Sequence, residues 1–143
     1  MQTSLLFCMK SMIENLSSVQ TSILDHAVNH GFDDDSQFCI RLALDEAIIN
    51  AIIHGNRNDG QKEIYITARF NESAVCITVR DEGEGFDQAK LFDPREEPYL
   101  HQPHGRGIFL IREFTKEVQF NQKGNEITFT IARHVSPSAV PSS

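Results

Sequence analysis

Residues Asp33 to Asn56 read DDDSQFCIRLALDEAIINAIIHGN. Three carboxylates and a serine open the run. Such side chains satisfy the free N–H groups of a starting helix and favour the positive end of its dipole. Between Phe38 and Ile53 only Arg41, Asp45, Glu46 and Asn50 are polar. The helix is therefore expected to be buried on most of its circumference and to end at about Ile53 or His54. Gly55 is expected to supply a left-handed cap. Glu46 and Asn50 are four apart and share one face, and His54 continues the row. A carboxylate and a carboxamide on so apolar a helix need partners, because unpaired burial costs about 1–3 kcal/mol for a neutral group and more for a charge. An internal hydrogen bond to a neighbouring loop meets that need, and so does a ligand.

Outward from this helix, the spacing of Ile13, Leu16, Val19, Ile23, Leu24, Ala27 and Val28 predicts an amphipathic helix over Ile13–His30, stopped at Gly31. Ser4–Cys8 reads as a first strand. On the other side, Glu63–Phe70 alternates apolar and polar residues, as do Val75, Ile77 and Val79, with Asn71-Glu72-Ser73 as a hairpin turn. Gln88–His104 loses periodicity and holds Pro94, Pro98 and Pro103, the pattern of a mobile loop. A short helix is expected over Ile108–Phe114. Two last strands follow, around Val118 and Phe120 and around Ile127, Phe129 and Ile131, turned by Lys123-Gly124-Asn125. The predicted class is α+β: a two-layer sandwich with helices on one face of a mostly antiparallel mixed sheet. One domain is expected over residues 1–134, with the Ser- and Pro-rich end, 135–143, as a disordered tail.

The 143 residues suit one domain, and a hydrophobic share of 40% is enough for one core. A formal charge of −7 disfavours direct nucleic-acid binding, which needs clustered Lys and Arg. It does not disfavour a nucleotide, whose phosphates a magnesium ion and helix N-termini can hold. No apolar run approaches the roughly 20 residues of a membrane span. Met1–Lys10 has one basic residue and no cleavage site, so the expectation is a cytoplasmic protein. Cys8, Cys39 and Cys76 each sit in an apolar run without C-x-x-C spacing, and are expected to be buried, reduced thiols.

Two glycine-rich segments bear on chemistry. Asp81-Glu82-Gly83-Glu84-Gly85 follows a strand. It sets an acceptor beside backbone that a flat ligand can approach, and the amino group of adenine is a donor such a carboxylate reads. Taken alone, the segment reads more plainly as a surface turn with an acidic tip. Gly105-Arg106-Gly107 precedes a helix, where free N–H groups bind anions; a tight turn is the plainer reading. His101 and His104 stand in the proline-rich loop, a poor setting for a metal.

Taken together, Glu-x-x-x-Asn on a helix, Asp-x-Gly-x-Gly after a hairpin, a loop and Gly-x-Gly before a helix resemble the GHKL ATPase superfamily. Gyrase, heat-shock chaperone ATPases, histidine kinases and mismatch-repair ATPases belong to it. The likeness runs from about Asp33 to Ala132. Asp45–Asn56 and Arg80–Gly83 look especially like the anti-sigma serine kinases. The resemblance implies the Bergerat ATP-binding fold, with ATP or ADP and Mg²⁺ as cofactors. It implies Asn50 as magnesium ligand, Glu46 as general base and Asp81 as the adenine-reading carboxylate. His54 extends the nucleotide-side row, and Gly83 and Gly85 let the nucleotide approach. Gly105 and Gly107 let a lid fold onto the phosphates. Arg106 either reaches the γ-phosphate or is an ordinary exposed arginine. The loop before Gly105 matches no particular family lid: it offers only Lys90, Arg95, His101 and His104 as cations and no Ser or Thr.

Among the family's functions, a histidine kinase needs a dimerisation hairpin, and gyrase and mismatch-repair relatives need a transducer domain. The anti-sigma class is what remains: a protein serine/threonine kinase that phosphorylates a small antagonist (anti-anti-sigma) protein and sequesters a sigma factor or similar regulator. A non-catalytic binding module that uses ATP as a structural or regulatory ligand is the alternative. Such kinases are commonly homodimers, and Leu5-Leu6-Phe7 with the Ile13–Val28 helix is the candidate contact surface.

Overall fold

The computed structural model describes residues 2–83 and 117–133. Gly85, Gly105, Arg106 and Gly107 lie outside them, as do the Gln88–His104 stretch, the expected helix over Ile108–Phe114 and the tail. In chain order come β1 (Thr3–Lys10), a 3₁₀ turn (Ile13–Asn15), α1 (Leu16–Asn29) and α2 (Asp34–Asn50). A π-helical turn (Ala51–Gly55) leads on to β2 (Glu63–Phe70), β3 (Ala74–Arg80), β4 (Glu117–Phe120) and β5 (Glu126–Ala132). The strands form one five-stranded sheet in the order β1-β2-β3-β5-β4. Every described pairing is antiparallel.

The alternation read from the sequence sets the sheet's two faces. Ile64, Ile66, Ala68 and Phe70 of β2, Val75, Ile77 and Val79 of β3, and Ile127, Phe129 and Ile131 of β5 are buried on the inner face. Against them α1 places Leu16, Val19, Ile23 and Ala27, and α2 places Ile40, Ala43, Leu44, Ala47 and Ile48. Phe70 closes the core near the end of α1: the His30 ring stacks on it at 5.0 Å and Phe32 meets it edge-on at 5.7 Å. The Gln20 amide ties the helices by donating to the Arg41 carbonyl and to Asp45 Oδ1.

Local chemistry fixes the ends as expected in three places. Gly31 has φ +82° and ends α1 in the left-handed conformation that glycine adopts without a Cβ penalty. Asp33 caps α2, its carboxylate accepting from the Ser36 N–H at 2.9 Å. Gly124, at φ +82°, turns β4 into β5.

The structure corrects four expectations. Helix α2 is buried along one face and not most of the way round: Phe38 is 59% exposed and Leu42 and Ile49 are half-buried. The apolar face of α1 is core, with Ile23 and Ala27 fully buried, so those side chains are not available as a contact surface. Of the residues expected there, Leu6 on the edge strand, Ile13 and Val28 are exposed. Cys8 is also exposed, because it alternates with the buried Met9 and falls on the outer face, where its thiol donates to Glu63 Oε2 at 2.8 Å. Finally, Gly55 is not a left-handed cap. Arg57 (φ 53°) and Asn58 (φ 61°) hold that conformation, two residues further on.

Candidate functional site

Helix α2 carries Glu46 and Asn50 toward its C-terminal end, one turn apart on one face. Both are half-buried. One Glu46 oxygen, Oε2, is shielded from solvent. Burial raises the pKa of this carboxyl above the ordinary value, and the neighbouring Asp45 charge adds to the effect.

Beyond Asn50 the helix widens. The Asn56 N–H donates to the Ala51 carbonyl, five residues back, at 2.7 Å. Such π turns are rare and are frequently found at functional sites. His54 lies within this turn and is exposed.

The same turn delivers Gly55 against Asp81 at the end of β3. A Cβ on Gly55 would lie 2.1 Å from Asp81 Oδ2 and 2.2 Å from its Cγ. Glycine is required here because a carboxylate occupies the space a side chain would fill. Gly83 is tighter still: a Cβ there would lie 2.0 Å from the Gly55 carbonyl oxygen. Its N–H donates to Asp81 Oδ1 at 2.7 Å.

Asp81 is only 6% exposed. Burial pushes its pKa up to about 6, against the Gly83 N–H and the charges of Lys123 and Lys62, which pull it down. Its backbone is clamped to the β4–β5 turn: the Asp81 N–H donates to the Asn125 carbonyl at 2.9 Å, and the Asn125 amide donates to the Asp81 carbonyl at 3.0 Å. Asn56, fully buried, clamps the next residue. Its Oδ1 accepts from the Glu82 N–H at 2.8 Å and its Nδ2 donates to the Glu63 carbonyl at 3.2 Å. The Glu82 carboxylate in turn accepts from the Glu63 N–H.

Of the residues expected to act, Glu46 and Asn50 lie one turn apart on α2, and Asp81 and Gly83 meet Gly55, five residues beyond Asn50. Gly55, Asn56, Glu63 and Asn125 were missed as site residues. Gly55 and Asn56 directly follow the helix that carries Glu46 and Asn50, but only the folded chain shows what they touch.

A magnesium ion fits these residues in one way. Among the described residues no three His, Cys, Asp or Glu gather as a metal cage. The Asn50 amide oxygen is a hard donor, with the Glu46 carboxylate one turn away. Magnesium commonly takes one or two protein oxygens and completes its shell with phosphates and waters. The donor set therefore suits an ion that comes with a nucleotide.

The histidine kinase-like ATPase domain family matches residues 9–131. The anti-sigma F factor of Bacillus licheniformis is 30% identical over 104 residues, 69% of this chain and 70% of that protein. The anti-sigma F factor of Anoxybacillus flavithermus is 31% identical over 104 residues, covering the same shares of each chain. That of Clostridium perfringens is 33% identical over 98 residues, 66% of this chain and 69% of the relative. With the antiparallel sheet, its helices on one face and the Asp81 corner in place, the chain belongs to the histidine kinase-like ATPase domain family, whose nucleotide is ATP or ADP.

Proposed function

We propose that this protein is an ATP- and Mg²⁺-dependent serine/threonine kinase of the anti-sigma type. It phosphorylates a small antagonist protein and holds a sigma factor or similar regulator. One observation supports the reading: Gly55, five residues beyond Asn50 on the segment that continues α2, packs against the buried Asp81 carboxylate. The anti-sigma F factors it resembles support the choice of partners.

In this reading Asp81 accepts from the adenine amino group, and Gly83 lets the base lie close. Asn50 is the protein ligand of the magnesium ion that neutralises phosphate charge. Glu46 accepts the proton of the attacking Ser or Thr hydroxyl as the γ-phosphoryl group moves to its oxygen, leaving ADP and a phosphorylated protein. Phosphoryl transfer needs positioning and charge neutralisation more than covalent help. A carboxyl with a raised pKa is the better base for the task. Gly85 serves with Gly83 to let the nucleotide approach, Gly105 and Gly107 let a lid fold onto the phosphates, Arg106 reaches the γ-phosphate, and His54 serves the nucleotide with Asn50. The protein acts in the cytoplasm. It pairs as a homodimer through the β1 edge, where Leu6 is 77% exposed.

The test is transfer of label from γ-labelled ATP to a cognate antagonist, with phosphosite mapping. Labelled phosphoserine or phosphothreonine is the expected result. Tight ATP binding without transfer to a verified partner would show a binding module that uses ATP as a regulatory ligand.

A further inference from the structure

We propose that Gly55 and Asn56 are positioning residues that aim the Asp81 carboxylate and so set the site's preference for an adenine over a guanine nucleotide. The inference rests on reading Asp81 as the group that accepts from the base.

Asp81 is held from several sides, each by a different segment. Asn125 fixes its backbone, and the Gly83 N–H fixes Oδ1. Among the described residues no hydrogen bond is made to Oδ2, which leaves that oxygen to accept from a ligand. Where Oδ2 stands is decided by Gly55, whose Cα side it packs against. A methyl at residue 55 would have to push the carboxylate away by about 1 Å, and misplacements of that size cost on the order of a hundredfold where geometry matters. Asn56 acts on the next bond of the chain. Its carboxamide is fully buried and bonded at both ends, to Glu82 and to Glu63. It therefore ties the Asp81–Gly83 turn to the start of β2. No shorter side chain spans both partners, and a buried N–H left without one is costly.

Adenine offers an amino donor where guanine offers a carbonyl acceptor. A well-aimed carboxylate bonds the first and repels the second. Polar recognition of this kind discriminates more strongly than apolar fit. A displaced carboxylate loses both effects, so selectivity falls along with affinity. A residue that merely stabilised the fold would lower the melting temperature and leave selectivity alone.

The experiment is titration calorimetry of the full chain with ADP and with GDP, each with Mg²⁺, for the wild type, Gly55→Ala and Asn56→Ser. ADP affinity is expected to fall about 10- to 100-fold in both variants. The ADP:GDP ratio should move toward one, with GDP affinity little changed. Melting curves of Gly55→Ala, Asp81→Ala and the double variant give a second measurement that needs no nucleotide. If Gly55 acts through Asp81, Gly55→Ala lowers the melting point of the wild type but adds nothing in the Asp81→Ala background. Should Gly55→Ala fail to fold, the double variant is expected to recover. Folded variants with an unchanged ADP:GDP ratio overturn the proposal, as does an equal loss of melting temperature in both backgrounds. A wild type that binds neither ADP nor ATP at millimolar concentration instead defeats the nucleotide reading, and the melting cycle still decides whether Gly55 works through Asp81.

Discussion

Asp81 and Glu46 are both carboxyls whose pKa burial has raised, yet the chain holds them differently. Asp81 sits in a corner assembled from the end of β3, the β4–β5 turn and the π turn after α2. Its neighbours approach so closely that two of them must be glycine. Glu46 rides on a single helix, one turn from Asn50 and with no strand needed to bring the two together. The Asp81 corner is thus built by tertiary contacts, and the Glu46–Asn50 row by helical periodicity. In the proposed function the rigid corner selects the ligand. The helix row meets groups that change during the reaction: the metal, the phosphates and the incoming hydroxyl.

The largest effect that would break this division is expected at Glu46. Glu46→Gln keeps the shape and removes the basicity. Transfer to the antagonist should fall by roughly 10²–10⁴-fold while ADP affinity stays at the wild-type value. Single-turnover transfer and calorimetry on the same preparation separate the two quantities. If Glu46→Gln weakened ADP binding and left transfer of the bound nucleotide untouched, both carboxyls would serve binding, and the contrast would be wrong.

Asp81→Asn should show the opposite pattern. It replaces an acceptor by a donor facing the base amino group, and ADP affinity is expected to fall about 10- to 100-fold. The unliganded chain should meanwhile gain stability. The folded-state pKa of Asp81, about 6, lies above the ordinary 3.8, so the folded chain holds this proton more tightly than the unfolded one. The cost of burying the charge is absent below about pH 4, grows as pH rises from about 4 to 6 and is fully present above that. Asp81→Asn removes the charge, with a gain of up to about 3 kcal/mol at neutral pH that shrinks toward pH 4. Melting curves between pH 4 and pH 8 check it. A corner that gains stability when its functional group is neutralised is the expected signature of a binding site.

The same division explains what was legible in the sequence. Glu46 and Asn50 could be paired from spacing alone, because four residues on a helix are neighbours whatever the rest of the chain does. Gly31 as the end of α1, Asp33 as the cap of α2 and the alternating strands were legible for the same local reason. Gly55 was misread because a glycine after a helix usually serves the backbone, whereas here it makes room for a carboxylate 26 residues away in sequence. Asn56 and Asn125 had no local signal either. Their partners, Glu82 and Asp81, stand 26 and 44 residues from them. The π turn was hidden too: its one extra residue follows from where Asn56 must bond, and nothing in AIIHG announces it.

The smallest effect is the sharpest check that the two ends of the site are independent. Asp33 Oδ1 accepts from both the N–H and the hydroxyl of Ser36, a buried residue in the first turn of α2. Asp33→Ala leaves both donors without this acceptor and should cost about 1 kcal/mol, within the usual range of roughly 0.5–2 for a lost cap. That lowers the melting temperature by a few degrees. Asn50 lies 17 residues further on, about 25 Å along the helix, so the fraying of the first turn ends well before the site. The row should keep its place, and the Asp81 corner, which takes nothing from the start of α2, should keep its ADP:GDP ratio. Thermal melts and calorimetry of Asp33→Ala test both halves. A normal melting point would mean that Asp34 and Asp35 suffice for the helix start. A shifted ADP:GDP ratio would mean that α2 moves as a rigid rod into the base corner through Gly55, and that the two ends of the site are mechanically one.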